Sequence, residues 1–240
     1  MKFLYLIFGL TFSNSLVGQH KVDLTYFTIG LVDDYLGRII VKADKLDVTK
    51  VDEFHEFESD LMDFLDSLIN EENKLREKSN LMTKKRVRRK EANCINCHEF
   101  FYYYSKQLAS DVNHRYKFKF YHSWDEKNRK MYIGDLKSRT IKTDEQRLSF
   151  LCGAFVRVGS EENNLYVYNL ANSRGHYNSI IKSLKKLNSE IVEIKIVEGT
   201  PTSQKIYFKP SDTLKLELQR YNGLKRKVGD RYNLFYKIEQ

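Results

Sequence analysis

The stretch Thr143–Ser160, TDEQRLSFLCGAFVRVGS, constrains the fold more than any other part of this chain. Thr143 followed three residues later by Gln146 is a capping box, in which two side chains satisfy two backbone donors of a helix start. Leu148, Leu151, Cys152, Phe155 and Val156 recur at helical spacing and predict one apolar face. Gly159 stands where a helix commonly ends in a left-handed residue. Gly153 lies inside the helix, where glycine costs about 1 kcal/mol against alanine. A helix that bears such a cost is one that another backbone approaches closely.

An alternating pattern follows. Leu165–Leu170 is rich in aromatic and branched residues and predicts a short strand, alone or in a hairpin. Ser173 can cap a helix with Tyr177, Ile180, Ile181, Leu184 and Leu187 on one stripe, ending near Asn188. Val192, Ile194 and Ile196 alternate with Glu193 and Lys195, the pattern of a half-buried strand. Gly199-Thr200-Pro201 turns the chain into a second alternating run at 205–209, and Pro210-Ser211-Asp212 opens a helix carrying Leu214 and Leu218. The fold class is α+β, with a mixed N-terminal region and a small C-terminal sheet module.

That order, with the string FLCGAFVRVGS, resembles the LAGLIDADG homing-endonuclease fold. It is similar to the degenerate form in the N-terminal part of WhiA-type sporulation regulators, where a Leu-x-Gly-Ala-Phe-x-x-x-Gly-Ser run opens the unit. The resemblance covers residues 143–220. In the endonucleases an Asp or Glu just before the final glycine binds the catalytic metal. The resemblance puts Val158 at that position, preceded by Arg157. Valine cannot ligate magnesium, so metal-dependent DNA cleavage is not expected. An ordinary α+β domain with a glycine-bearing packing helix is the alternative reading.

Residues 1–18, MKFLYLIFGLTFSNSLVG, have a basic start at Lys2, an apolar run at 3–12 and a polar break at 13–15. This reads as a secretory signal peptide cleaved after Gly18, or as a retained anchor. The expected organisation is a signal peptide at 1–18 and an α+β region at 19–142. A LAGLIDADG-like module at 143–222 and an extension at 223–240 complete it. A net charge of +9 points to anionic partners. Export would remove intracellular DNA from that list.

The N-terminal region reads as strands at 22–41, from Leu24, Tyr26 and Thr28 and from Ile39-Ile40-Val41. Residues 49–78 read as an acidic amphipathic helix with Val51, Phe54, Leu61, Leu65 and Leu68 on its core side. Directly after it come Lys84, Lys85, Arg86, Arg88, Arg89 and Lys90. They are candidates for binding an anionic partner, or a solvated segment that balances the acidic helix.

Cys94-Ile95-Asn96-Cys97-His98 is the C-x-x-C-H string of c-type haem attachment, in which two thiols bond the vinyl groups and His98 would ligate iron. A helical stripe of Cys97, Phe101, Tyr104, Leu108 and Val112 would wall such a pocket. Met62, Met82, Met131, His55, His114 or His122 could supply a sixth ligand. The resemblance to c-type cytochromes stops at those five residues. The pair Cys94/Cys97 also suits a small disulfide, inert thiols or half a zinc site, leaving Cys152 buried and unpaired.

Arg115–His122 alternates strictly, with Tyr116, Phe118, Phe120 and His122 on one face and Arg115, Lys117 and Lys119 on the other. Such a strand can bind single-stranded nucleic acid or sugars, or its aromatics are core and its lysines guard an edge. A return strand is expected at 131–136 and a last strand around Tyr232, Leu234, Tyr236 and Ile238.

These features lead to an expected exported, non-enzymatic envelope or periplasmic protein that binds an unknown protein or an anionic envelope component. A mono-haem electron carrier or haem sensor is the alternative. Nucleic acid is not expected as a partner unless the signal-peptide reading fails.

Overall fold

The computed structural model describes residues 21–32, 37–41, 48–88, 100–124, 128–199 and 202–237. Two short helices open the two halves: α1 (Leu24–Leu31) and α4 (Asp144–Val158). The second half runs α4, β7 (Gly159–Glu162), β8 (Leu165–Ala171), α5 (Arg174–Lys186), β9 (Glu190–Val197), β10 (Ser203–Lys209), α6 (Asp212–Arg220). Its antiparallel sheet has the order β7-β8-β10-β9. This is the helix, hairpin, helix, two-strand, helix order expected from the sequence.

The first half repeats the scheme with an insertion. After α1 come β1 (Arg38–Val41), then β2 (Lys50–His55), α2 (Ser59–Lys74), β3 (Lys85–Arg88) and β4 (Phe100–Tyr104). The scheme resumes with α3 (Lys106–Asn113), β5 (Tyr116–Trp124) and β6 (Lys130–Leu136). β1, β6 and β5 form one sheet in that order, and the inserted β2, β4 and β3 form another. Buried Arg38 joins them: it donates from Nη1 to the Val51 carbonyl (2.7 Å), from Nη2 to the Lys50 carbonyl (3.0 Å) and from Nε to Asn113 Oδ1 (2.6 Å).

α4 starts as its sequence dictates. Gln146 N donates to Thr143 Oγ1 and Thr143 N donates to Gln146 Oε1, both at 3.3 Å. Asp144 and Glu145 in the first turn and Arg157 in the last suit the helix dipole. Every residue from Leu148 to Val156 is buried, so the apolar stripe widens to the whole circumference. The second surface is covered by α1, and the contact is backbone on backbone. A Cβ on Gly30 would overlap the Phe150 carbonyl oxygen and lie 2.6 Å from Ala154 N; one on Gly153 would overlap the Phe27 carbonyl, 2.9 Å from its carbon. The glycine in mid-helix is thus explained by close approach.

Several expectations are corrected. Residues 24–31 form a helix, although they are rich in strand-favouring residues. Tyr26 N donates to Asp23 Oδ1 (3.2 Å), and the helix is buried nearly all round, which overrides propensity. The acidic helix begins only at Ser59, because Val51, Asp52 and Phe54 of β2 turn into the interior. Residues 100–104 pair with strands on both sides rather than extending a helix, and Tyr103 is fully buried. The C-terminal segment is α7 (Asn222–Lys237), with Leu224 and Val228, four residues apart, against the core. Gly159 is extended at φ −86° and opens β7, which leaves no room for a Cβ beside Phe155. Left-handed residues nearby are Asn163 and Asn164, φ 51° and 64°, which make the two-residue β7–β8 turn, Asn172, φ 51°, after β8, and Asn188, φ 55°, after α5.

Among the described residues no helix is long and apolar enough to cross a membrane. The expected signal peptide, residues 1–18, lies outside the described residues.

Candidate nucleic-acid interface

The C-terminal ends of α1 and α4 meet at a set of side chains that seals them. Arg157 donates from Nη1 to the Leu31 carbonyl (2.9 Å) and from Nη2 to the Glu53 carbonyl (3.1 Å). Its Nε pairs with Glu58 Oε1 at 3.2 Å, it bonds the Asp52 carboxylate, and its guanidinium lies 5.2 Å from the Phe54 ring centre. Asp52 and Glu58 have side chains only 3% and 6% exposed. His176 Nε2 lies 2.7 Å from the Ile29 carbonyl oxygen. The last carbonyls of the short helix α1, which have no partners within it, are therefore satisfied from the second half of the chain.

This arrangement decides whether the metal implied by the LAGLIDADG resemblance fits. Val158 has no ligating atom, and the neighbouring Asp52 and Glu58 are turned onto a guanidinium. No group of three or more His, Cys, Asp or Glu able to hold a metal occurs among the described residues. The residues at this end of α4 do not fit a catalytic divalent ion. Arg157 was legible only as a lone charge in FVRVG; its partners lie about a hundred residues away in sequence. α1 was missed too, although Gly30-Leu31-Val32 followed by Gly37 parallels Gly153-Ala154-Phe155 followed by Gly159. Asp33 and Asp34, between them in the first run, lie outside the described residues.

Two of the three sheets, β1-β6-β5 and β7-β8-β10-β9, each turn one face to the helices and one outward. In the first, Tyr116 and Leu136 are buried, while Lys117 and Lys119, one residue out of phase, are exposed beside Asp135 and Ile133. The strict alternation of β5 therefore reads correctly up to Phe118, which packs partly against the core. Phe120 and His122 instead meet near the surface as a tilted pair, ring centres 4.9 Å apart. In the second sheet, Tyr166, Tyr168, Ile206 and Phe208 face the core. The opposite face carries a polar cluster. Lys205 Nζ bonds Glu162 Oε1 (3.3 Å), Tyr207 OH donates to Glu162 Oε2 (3.1 Å) and Lys195 Nζ lies 5.0 Å from the centre of the Tyr207 ring. Partial burial works to raise the Glu162 pKa, but the bonds from Lys205, Tyr207 and Ser160 outweigh it and hold the carboxyl below its ordinary value.

The remaining site candidates distribute as follows. Lys84, Lys85, Arg86 and Arg88 lie on or beside β3, and Arg89 and Lys90 lie outside the described residues. Arg86 Nη2 bonds Asp63 Oδ1 (2.7 Å) and Asp66 Oδ2 (2.8 Å) on α2, and Lys84 Nζ bonds Asn70 Oδ1 (2.9 Å). Burial works against the Arg86 charge, and the two aspartates more than restore it. This half of the basic stretch balances the acidic helix. Cys94, Cys97 and His98 lie outside the described residues. Of the proposed sixth ligands, Met62 and Met82 are buried, Met131 is half-buried on β6, His55 stacks on Phe57 and meets Phe100 at a tilt, and His114 and His122 are exposed. Cys152 is free and buried, and burial pushes its thiol pKa well up, which makes it a poor nucleophile.

Lys225 occupies a recess with Phe155, Glu161, Asn222 and Arg226, its Nζ 5.4 Å from the Phe155 ring centre. Burial lowers its pKa from 10.5 to about 8. Between those values the unfolded chain holds a proton the folded chain has lost, so this group makes stability rise with pH. Thermal unfolding of the wild type and Lys225→Met across pH 7–10 is expected to show the wild type gaining relative to the variant. A constant difference would contradict the assignment.

No family model and no curated protein matches the chain. Solved structures do. The crystal structure of I-DmoI in complex with DNA and Mn shares 12% identity, covering 84% of this chain and 96% of that one, with a TM-score of 0.48. Mesophilic variants of the homing endonuclease I-DmoI match at 11% identity, covering 85% of this chain and 95% of theirs, TM-score 0.49. I-DmoI in complex with DNA and Ca matches at 12%, 80% and 86%, TM-score 0.49. The order of elements and the glycine-to-glycine helix pair give this chain a LAGLIDADG-like α+β fold. The expected envelope protein with a haem alternative, and the exclusion of nucleic acid as partner, are corrected: the matched structures are homing endonucleases, two of them holding DNA. Within the basic stretch, Lys84 and Arg86 pair with α2.

Proposed function

We propose that this protein binds duplex nucleic acid across the outward faces of the β1-β6-β5 and β7-β8-β10-β9 sheets and does not cleave it through a metal at the end of α4. The observation that carries the reading is the pair of edge hairpins. β5–β6 holds Lys117 and Lys119 outward, and β9–β10 holds Lys195, Lys205 and Tyr207 outward. A two-stranded antiparallel ribbon is of a size the major groove admits. Lysines at alternate positions on such a ribbon meet phosphates, and the net charge of +9 favours the encounter. Glu162 and Glu193 neutralise part of the second face until phosphate competes for Lys205 and Lys195. Cleavage is left out because Arg157 and Val158 stand where a metal ligand would be needed.

The test is fluorescence anisotropy of a labelled duplex at increasing salt. Affinity is expected to fall steeply, with a log–log slope of about −0.9 for each phosphate neutralised. A Lys117→Glu/Lys119→Glu variant and a Lys205→Glu variant should each bind about tenfold or more weakly, with shallower slopes. Affinity independent of salt, or wild-type binding by both variants, overturns the proposal. Preference for single strands would move the interface to the aromatic end of β5.

A further inference from the structure

We propose that two copies of this chain associate by pairing β9 with β9 antiparallel, in a register centred on Ile194. This goes beyond nucleic-acid binding and rests on a different observation. β9 is the edge of the second sheet, and it was expected to be half buried. Instead Val192, Ile194, Ile196 and Val197 are 44%, 40%, 68% and 46% exposed, the main concentration of exposed large apolar side chains among the described residues. Ile194 lies opposite buried Ile206 of β10, so it belongs to the core-side face, which here runs on past the helices. A long apolar edge strand is a template for another strand, and natural proteins usually blunt one with proline, inward charge or a bulge. β9 has no proline and no charge on this face. Its register with β10 shifts beside Val192.

The occupant follows from the order of charges. In an antiparallel pair with Ile194 opposite its own copy, Val192 faces Ile196, and Glu193 faces Lys195 twice over. The apolar residues then zip on one face and two opposite-charge pairs form on the other, each the kind of cross-strand pair that stabilises a sheet. Sliding the register by two residues one way sets Glu193 against Glu193; sliding it the other way sets Lys195 against Lys195. A slip of one residue turns the apolar set onto the polar face. Only the register centred on Ile194 satisfies both faces; its cost is Glu190 opposite Glu198 at the ends, where Glu190 already has Lys209 at 3.1 Å. Within one chain Lys195 and Glu193 sit 3.2 Å apart, so both charges are already on the outward face and need only exchange partners. The product would be a continuous sheet of eight strands, four from each copy.

Sedimentation velocity of the full chain without nucleic acid, over a wide concentration range, tests this. The mass is expected to rise from monomer to dimer. Ile194→Lys, which would set two cations on the axis, should leave a monomer. Glu193→Lys alone and Lys195→Glu alone should each weaken dimerisation about tenfold or more, since each sets like charges opposite. The double exchange Glu193→Lys/Lys195→Glu should restore it, because the pairing remains complementary. Circular dichroism on every variant separates lost pairing from lost folding. A monomer at all concentrations, a dimer indifferent to Ile194→Lys, or a folded double exchange that stays monomeric each overturns the proposal.

Discussion

Replacing Gly153 with alanine is expected to destabilise the protein by about 3 kcal/mol or more, even though alanine is the better helix former. Alanine gains about 1 kcal/mol of helix propensity over glycine. Against that, the added methyl group would overlap the Phe27 carbonyl on α1, and the contact has no flexible side chain to give way. Inserting a methyl group into a well-packed interior commonly costs 1–3 kcal/mol by forcing backbone shifts. Here the shift must separate the two helices that join the halves of the chain. Gly30→Ala meets the same obstacle from the other side, at the Phe150 carbonyl. Chemical denaturation should show both variants losing stability, and the double variant losing less than the sum, because one separation relieves both overlaps. A neutral or stabilising Gly153→Ala would mean that the helices are not in backbone contact.

Arg157→Met is expected to cost about 3–5 kcal/mol, the range for removing one partner of a buried ion pair. The loss would come from Asp52 and Glu58, left buried beside the Leu31 carbonyl with no cation between them. Changing all three together, Arg157→Met with Asp52→Asn and Glu58→Gln, should recover most of the stability, since no uncompensated charge remains. Denaturation midpoints at neutral pH check both. A single variant within about 0.5 kcal/mol of wild type would show that Arg157 does not tie the insertion to the helix pair.

How much of this was legible in the sequence depended on distance along the chain. The capping box at Thr143 and the helical spacing of α4 depend on residues within one or two turns, and they were read correctly. Gly153 signalled a close approach, but its partner, Phe27 of α1, is distant in sequence, and the strand after α4 was read as single or as half of a hairpin. α1 was read as strand because Tyr26, Phe27, Thr28 and Ile29 favour strands locally, and only the enclosure of the helix on all sides reverses that preference. The aromatic run 100–104 was read as helix because its stripe continued into α3; its partners, β2 and β3, are distant in sequence. In the candidate interface, the outward lysines of β5 followed from alternation alone. The cluster of Glu162, Lys205 and Tyr207 did not, because it is assembled by the register of β7, β8 and β10, and register is invisible until the strands are paired.

The central claim is that the two sheets offer their outward faces to a duplex. The most direct measurement is zero-length or short-linker cross-linking of the full chain to a duplex, with the attached residues mapped by mass spectrometry. Attachment at Lys117 or Lys119 together with Lys195, Lys205 or Tyr207 is the expected result. Attachment confined to Lys84, Lys85 and Arg88, with both sheets unmarked, would contradict the account and place any nucleic acid on the inserted sheet instead.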